Sequence, residues 1–128
     1  MSIQALVVDD DLSIQGMLDL SLGMEGVDVR VASDGATGLE MALSYRPDVI
    51  LLDIMMPAMN GLEVLKHLRE SSDTKDIPVI LLTAKAAGEE MWTGWRAGAD
   101  SYITKPFDIE VLISELDRVC RAEIEVAA

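Results

Sequence analysis

Four short, largely apolar runs in this 128-residue chain end in side chains that can do chemistry. Residues 3–8, Ile-Gln-Ala-Leu-Val-Val, run into Asp9, Asp10 and Asp11. Residues 49–52, Val-Ile-Leu-Leu, run into Asp53. Residues 78–82 lead to Thr83, and residues 101–104 lead to Lys105, with Pro106 behind it. A Val-Ile-Leu-Leu run belongs in a sheet covered on both faces. A carboxylate at its end is costly to bury unless it meets a partner, a metal or solvent. Three carboxylates drawn together repel, so either one keeps a proton or a cation sits among them. Carboxylate oxygens completed by water suit Mg²⁺ or Mn²⁺. A lysine beside them offers a fixed cation and a threonine offers a hydroxyl donor. Nucleophile, metal, cation and donor are the parts of phosphoryl transfer. Asp53, on the middle run, is the natural nucleophile.

These groups lie far apart in sequence, so the fold must gather them. The apolar runs alternate with segments of helical spacing. Ile14, Met17, Leu18 and Leu22 mark a first helix, closed by Gly23 and Gly26. Residues 27–32 alternate apolar and polar as an outer strand does, and Ser33-Asp34-Gly35 reads as a loop. Residues 38–44 give a second helix with Leu39, Ala42 and Leu43 facing inward. Leu62, Leu65 and Leu68 share a face of a third helix over residues 61–70, after the stop at Met56-Pro57 and a turn or helix start at Asn60-Gly61. Residues 89–97 give a weaker fourth helix interrupted by Gly94. Asp108 caps a last helix carrying Ile109, Leu112, Ile113, Leu116 and Cys120. Strand and helix alternate five times with short links. That pattern predicts an α/β fold, a single doubly wound parallel sheet of five strands. In such a sheet ligands bind beyond the carboxyl ends of the strands, where Asp9, Asp10, Asp53, Thr83 and Lys105 all fall.

Composition bounds the rest. The length suits one domain, and half of the residues are hydrophobic. A net charge of −13 argues against a nucleic-acid surface and against anionic membranes. It favours cations or a partner with a basic face, and equally serves solubility. Cys120 is the sole cysteine, so no internal disulfide forms, and no basic signal start or membrane-length apolar stretch is present. The expected location is the cytoplasm.

The layout resembles the receiver domain of two-component response regulators, over nearly the whole chain. The matching pieces are Val7-Val-Asp-Asp-Asp11, Leu51-Leu-Asp-Ile-Met-Met-Pro57 with Gly61, Leu82-Thr-Ala84, and Gly98-Ala-Asp-Ser-Tyr-Ile-Thr-Lys-Pro-Phe107. Together, in this order and at these spacings, they are highly specific. The resemblance implies a chemotaxis-receiver-like, flavodoxin-like (βα)5 fold with strand order 2-1-3-4-5; a chemotaxis receiver is itself a standard example of that order. It implies that Asp53 accepts a phosphoryl group from a histidine kinase or histidine phosphotransfer protein. It implies Mg²⁺, with Mn²⁺ as a substitute, held by Asp10, Asp53 and the backbone carbonyl of Met55, with Asp9 acting through a water. Lys105 would pair with phosphoryl oxygens, with a cis bond to Pro106. Thr83 and Tyr102 would move together as the switch. The face of the fourth helix, fifth strand and last helix would then control a downstream protein target or a fused output domain. The domain would be no enzyme beyond catalysing its own phosphorylation and dephosphorylation. It is expected to be a monomer or weak dimer, with residues 1–122 as the receiver and 123–128 as a tail or linker start.

Two other classes fit parts of the pattern. A Mg²⁺-dependent phosphohydrolase can also use an aspartyl nucleophile, but such enzymes need a second acid/base aspartate where this chain has Met55, and a capping insertion its loops lack. A receiver-like module that is never phosphorylated usually loses an acidic-pocket residue or the lysine, and here all are present. Single residues have plainer readings. Asp11 serves as a helix cap, His67 as a solvated side chain, Cys120 as a buried inert thiol, and Trp92 and Trp95 as packing. Met91, Ala97, Val111 and Glu115 depart from the charge pattern by which one receiver subfamily dimerises, which speaks against that dimer here. Met55 and Lys85 lie where the family tunes phosphate loss; a bulky Met55 crowding water predicts slow self-dephosphorylation.

Overall fold

A computed structural model describes residues 3–84 and 98–127. Five strands form one parallel sheet: β1 (Gln4–Val8), β2 (Asp28–Ala32), β3 (Val49–Asp53), β4 (Val79–Ala84) and β5 (Ser101–Lys105). Their order is β2-β1-β3-β4-β5, all neighbours parallel. The described helices are α1 (Leu12–Met24), α2 (Gly35–Tyr45), α3 (Gly61–Glu70) and α4 (Ile109–Ala127). The expected helix over residues 89–97 lies outside the described residues, as do Lys85, Met91, Trp92, Trp95 and Ala97.

Strand alternation splits the core in two, because successive side chains point to opposite faces. Leu6, Val8, Ile50, Leu52, Val79 and Leu81 meet Val64, Leu65 and Leu68 of α3 and Ala42 of α2. Ala5, Val7, Val49, Leu51, Ile80 and Leu82 meet Leu18 and Leu22 of α1 and Leu112, Leu116 and Cys120 of α4. Helices thus cover both faces, and β3, between β1 and β4, is buried throughout. Each fully buried Leu or Ile contributes about 1.5–3 kcal/mol of transfer free energy, which sets the register of every strand.

Three local details differ from the expectation. α2 begins at Gly35, because the Asp34 side chain accepts the Thr37 N–H at 2.8 Å and caps it. The Thr37 N–H and hydroxyl both hold the Asp34 carboxyl below the usual aspartate value. Leu43, expected to face inward, is about half exposed, and Met17 on α1 is exposed to a similar degree. The inward stripe of α1 is instead Gln15, Leu18 and Leu22. Two expected helix caps are present. Asp11 caps α1, accepting from the Ser13 and Ile14 N–H groups. Asp108 accepts from the Glu110 N–H. Gly26 ends the α1 connection at φ 82°, a left-handed conformation that glycine adopts without a Cβ penalty. His67 is exposed and Cys120 buried.

Candidate functional site

The site lies where the strands end. Asp9 follows β1, and Asp53 and Lys105 are the last residues of β3 and β5. The parallel register places all of these ends at one edge of the sheet. Asp9 is 0 % exposed and Asp53 is 4 % exposed. Lys105 reaches across β4 to both: its Nζ lies 2.8 Å from Asp9 Oδ2 and 3.3 Å from Asp53 Oδ1. Asp9 Oδ1 accepts the Asp11 N–H at 2.9 Å, and Asp53 Oδ1 accepts the Met55 N–H at 3.3 Å. Asp10 is exposed at the mouth. One oxygen from each of Asp9, Asp10 and Asp53 falls within 4.8 Å of the others.

Why the chain turns here is visible locally. β3 ends at Asp53, Met56-Pro57 lies in the loop beyond it, and Asn60 caps α3 in a reciprocal box with Glu63: Asn60 Oδ1 accepts the Glu63 N–H, and Glu63 Oε1 accepts the Asn60 N–H. Gly61 carries the close approach of helix to strand. Its N–H donates to Ile54 O at 2.9 Å, and a Cβ there would run into the Asp53 carbonyl oxygen and sit 2.8 Å from Ile54 Cα. Ala58, within this turn, has φ 66°, a left-handed conformation that costs a non-glycine residue on the order of 1 kcal/mol or more. The Lys105–Pro106 peptide is cis.

The electrostatics follow from that crowding. Burial pushes the Asp53 carboxyl up, and the charge of Asp9 pushes it further. Lys105 and the Met55 N–H pull it back, and the balance stands at about 6. Burial alone would lower Lys105. Its hydrogen bond to Asp9 and the charges of Asp53 and Asp9 outweigh that and hold it above the usual lysine value. Among the described residues, the Asp9, Asp10 and Asp53 carboxyl groups gather around the Lys105 ammonium, a concentration of acidic groups that a divalent cation can offset. All the side-chain donors are hard oxygens, so the set fits Mg²⁺ or Mn²⁺ better than a thiophilic metal.

Of the residues singled out in the sequence, Asp9, Asp10, Asp53 and Lys105 come together. Thr83 is buried on β4, in register with Thr104 and one residue beyond the partner of Asp53. Met55 stands beside Asp53 and is 62 % exposed. Tyr102 is partly buried on β5 and borders a recess of about 270 Å³ shared with Thr104, Phe107, Asp108 and Val111. Glu115 pairs within the chain, accepting from Ser101 Oγ at 2.6 Å and from Arg118, and both bonds lower its pKa. Sequence reading missed Gln15, which donates to the Asp9 carbonyl oxygen at 2.6 Å. Its signal was spacing: Gln15 shares the three-and-four rhythm of Leu18 and Leu22, a polar residue on a core stripe.

Comparison with known proteins agrees with this geometry. The family model described as the response regulator receiver domain matches residues 5–117. The response regulator MprA of Mycobacterium ulcerans is 44 % identical over 121 residues, 94 % of this chain and 51 % of that protein. RpaA of Synechocystis, described as a DNA-binding dual master transcriptional regulator, is 40 % identical over 116 residues, 91 % of this chain and 48 % of that protein. The chain spans about half the length of these curated relatives. Among solved structures, the chemotaxis protein CheY4 of Vibrio cholerae superposes with a TM-score of 0.88 at 37 % identity, covering 93 % of this chain and 99 % of that one.

Proposed function

Because the chain belongs to the response regulator receiver domain family, we propose that Asp53 is the residue that takes up the phosphoryl group, donated by a histidine kinase or a histidine phosphotransfer protein. The observation that carries this is Lys105 Nζ held at 2.8 Å from Asp9 and 3.3 Å from Asp53 at the end of the central strand. An Asp53 carboxylate oxygen forms the new bond to phosphorus. The bond from phosphorus to the donor's imidazole nitrogen breaks, its electron pair stays on nitrogen, and the ring takes up a proton. Lys105 is placed to follow the charge from the carboxylate onto the phosphoryl oxygens. Thr83, one residue beyond the Asp53 register partner, would supply a hydroxyl donor.

Asp10, Asp53 and the Met55 backbone carbonyl would hold Mg²⁺, with Asp9 acting through a water and Mn²⁺ as a substitute. When bound, the ion offsets the negative charge of acceptor and donor oxygens. Phosphorylation then adds charge and acceptor oxygens that Thr83 and Lys105 bond better in one conformation than in the other. Such differential contact shifts a two-state equilibrium, with Thr83 and Tyr102 as the switch. The surface of β5 and α4 would carry the change to a downstream protein or a fused output domain. The receiver occupies residues 1–122, and residues 123–128 lead out of it. It works in the cytoplasm, turns over no separate substrate, and binds nucleic acid only through whatever output it controls. With Met55 beside the acceptor, water reaches the acyl phosphate poorly, and loss of the phosphoryl group is slow; a lifetime of seconds would count against this.

Incubation with Mg²⁺ and acetyl phosphate, followed by intact mass, tests the reading. One phosphoryl adduct, absent without Mg²⁺ and absent in Asp53→Asn, is expected. No adduct would leave an unphosphorylated binding module, and sustained turnover of phosphomonoesters would leave a hydrolase.

A further inference from the structure

We propose that Gln15 is a positioning residue for the divalent-cation site, acting through the peptide plane that joins Asp9 to Asp10. This rests on the reading above that Asp10 is a metal ligand. Asp9 is fastened at every polar atom. Its N–H donates to Ala32 O at 3.1 Å, its Oδ1 accepts from Asp11, its Oδ2 accepts from Lys105, and its carbonyl oxygen accepts from Gln15 Nε2 at 2.6 Å. Asp10 differs. It is exposed, and among the described residues no hydrogen bond fixes its carboxylate. The direction in which it leaves the backbone is therefore set by the preceding peptide unit. That unit is planar, so a hydrogen bond to its oxygen at Asp9 fixes the orientation of the whole plane, including the nitrogen from which Asp10 departs.

Gln15 is suited to hold that plane. It is 8 % exposed on the inward face of α1. Its amide bridges two loops at the same edge of the sheet, donating also to Ser33 Oγ at 2.9 Å. A buried amide is costly unless hydrogen-bonded, so both contacts resist loosening. An apolar residue would serve the core at this position better. What the glutamine adds is its hold on the strand end. It is to the cation site what an outer hydrogen bond is to a ligating side chain, and losing such bonds typically weakens metal binding by about 10–100-fold.

The test measures Mg²⁺ affinity of the whole chain by titration calorimetry at low temperature, beside the melting temperature without metal. Gln15→Met keeps length and volume and removes both hydrogen bonds. Its dissociation constant for Mg²⁺ is expected to rise about tenfold or more. Gln15→Arg, which keeps long N–H donors, is expected to restore most of the affinity. A merely structural glutamine predicts the contrary: a lower melting temperature for Gln15→Met with a dissociation constant unchanged from wild type, and that result overturns the proposal. If Gln15→Met does not fold, Ser33→Ala decides in its place. It removes only the amide's second anchor, so that Gln15 holds the Asp9 carbonyl less firmly, and about a threefold weakening supports the proposal while none overturns it. Wild type and Asp10→Asn separate the two claims. If wild type binds no Mg²⁺, the parent reading falls and this one with it. If wild type binds and Asp10→Asn does not, an unaltered Gln15→Met sinks the glutamine's role alone.

Discussion

Asp53 is held against its own chemistry. A buried carboxyl with a second carboxylate beside it ionises reluctantly, at about 6, even with Lys105 in contact. The consequence for stability has a definite sign. The folded pKa lies above the ordinary 3.8, so the folded state binds more protons than the unfolded state between roughly pH 4 and 6. Stability therefore falls as pH rises through that window, and the ionised group costs on the order of 2–3 kcal/mol at neutral pH. Asp53→Asn is expected to melt higher than wild type at pH 7 in chelator and to lose that advantage near pH 4, read by thermal unfolding at both values. Equal melting temperatures at pH 7 would show that Asp53 is not strained. The same sign governs reactivity: adduct formation should drop as pH falls below about 6, where the carboxyl takes up a proton. These tensions were legible in the sequence, because aspartates and a lysine at the ends of apolar runs add nothing to core packing and must meet one another or a cation. Gln15 was not read, because a lone glutamine on a helix looks solvated until the core stripe is counted through it.

At the scale of elements, the opposite edge of the sheet is stitched by one arginine. Arg69, in the last turn of α3, donates to the carbonyl oxygens of Gly98, Lys75 and Ile77 and to Asp100 Oδ2, at 2.8–3.0 Å. Asp100 Oδ2 also accepts the Val79 N–H at 2.8 Å. The helix, the loop before β4 and the turn before β5 are thus tied at one guanidinium. That planar fork satisfies carbonyls in several directions, which an ammonium cannot do. Arg69→Leu leaves the part-buried Ile77 carbonyl unmet and gives the more exposed Gly98 and Lys75 carbonyls over to water, and is expected to cost about 1–3 kcal/mol in urea unfolding, with Arg69→Lys recovering less than half. A loss below about 0.5 kcal/mol, the range of ordinary surface substitutions, would count against it. Sequence could not have shown this. Arg69 follows Leu68 on an amphipathic helix and reads as the solvated face, and its partners are backbone atoms remote in the chain. Helix existence was legible from periodicity, whereas the start of α2 depended on a cap and the exposure of Leu43 and Met17 on tertiary packing.

For the whole molecule, 13 net negative charges and three carboxylates at one edge repel one another, a repulsion that bound cations offset. A ligand that binds only the folded state stabilises it by RT ln(1 + [L]/Kd), about 1.4 kcal/mol at ten times Kd. Added Mg²⁺ is therefore expected to raise the melting temperature of wild type, and of Asp10→Asn far less, at constant ionic strength. An equal rise in both would mean that diffuse screening is responsible. Among the described residues no helix is long and apolar enough to cross a membrane. The sheet order agrees with the one the receiver resemblance implied, whereas the alternating strand and helix patterns by themselves indicated only a doubly wound parallel sheet. Most directly decisive is the identity of the modified residue. After Mg²⁺ and acetyl phosphate, borohydride reduces an aspartyl phosphate to homoserine with loss of phosphate, and peptide mass spectrometry locates the change. Homoserine at position 53 alone is the expected result; reduction at Asp9 or Asp10, or none in a chain that binds Mg²⁺, would contradict the account.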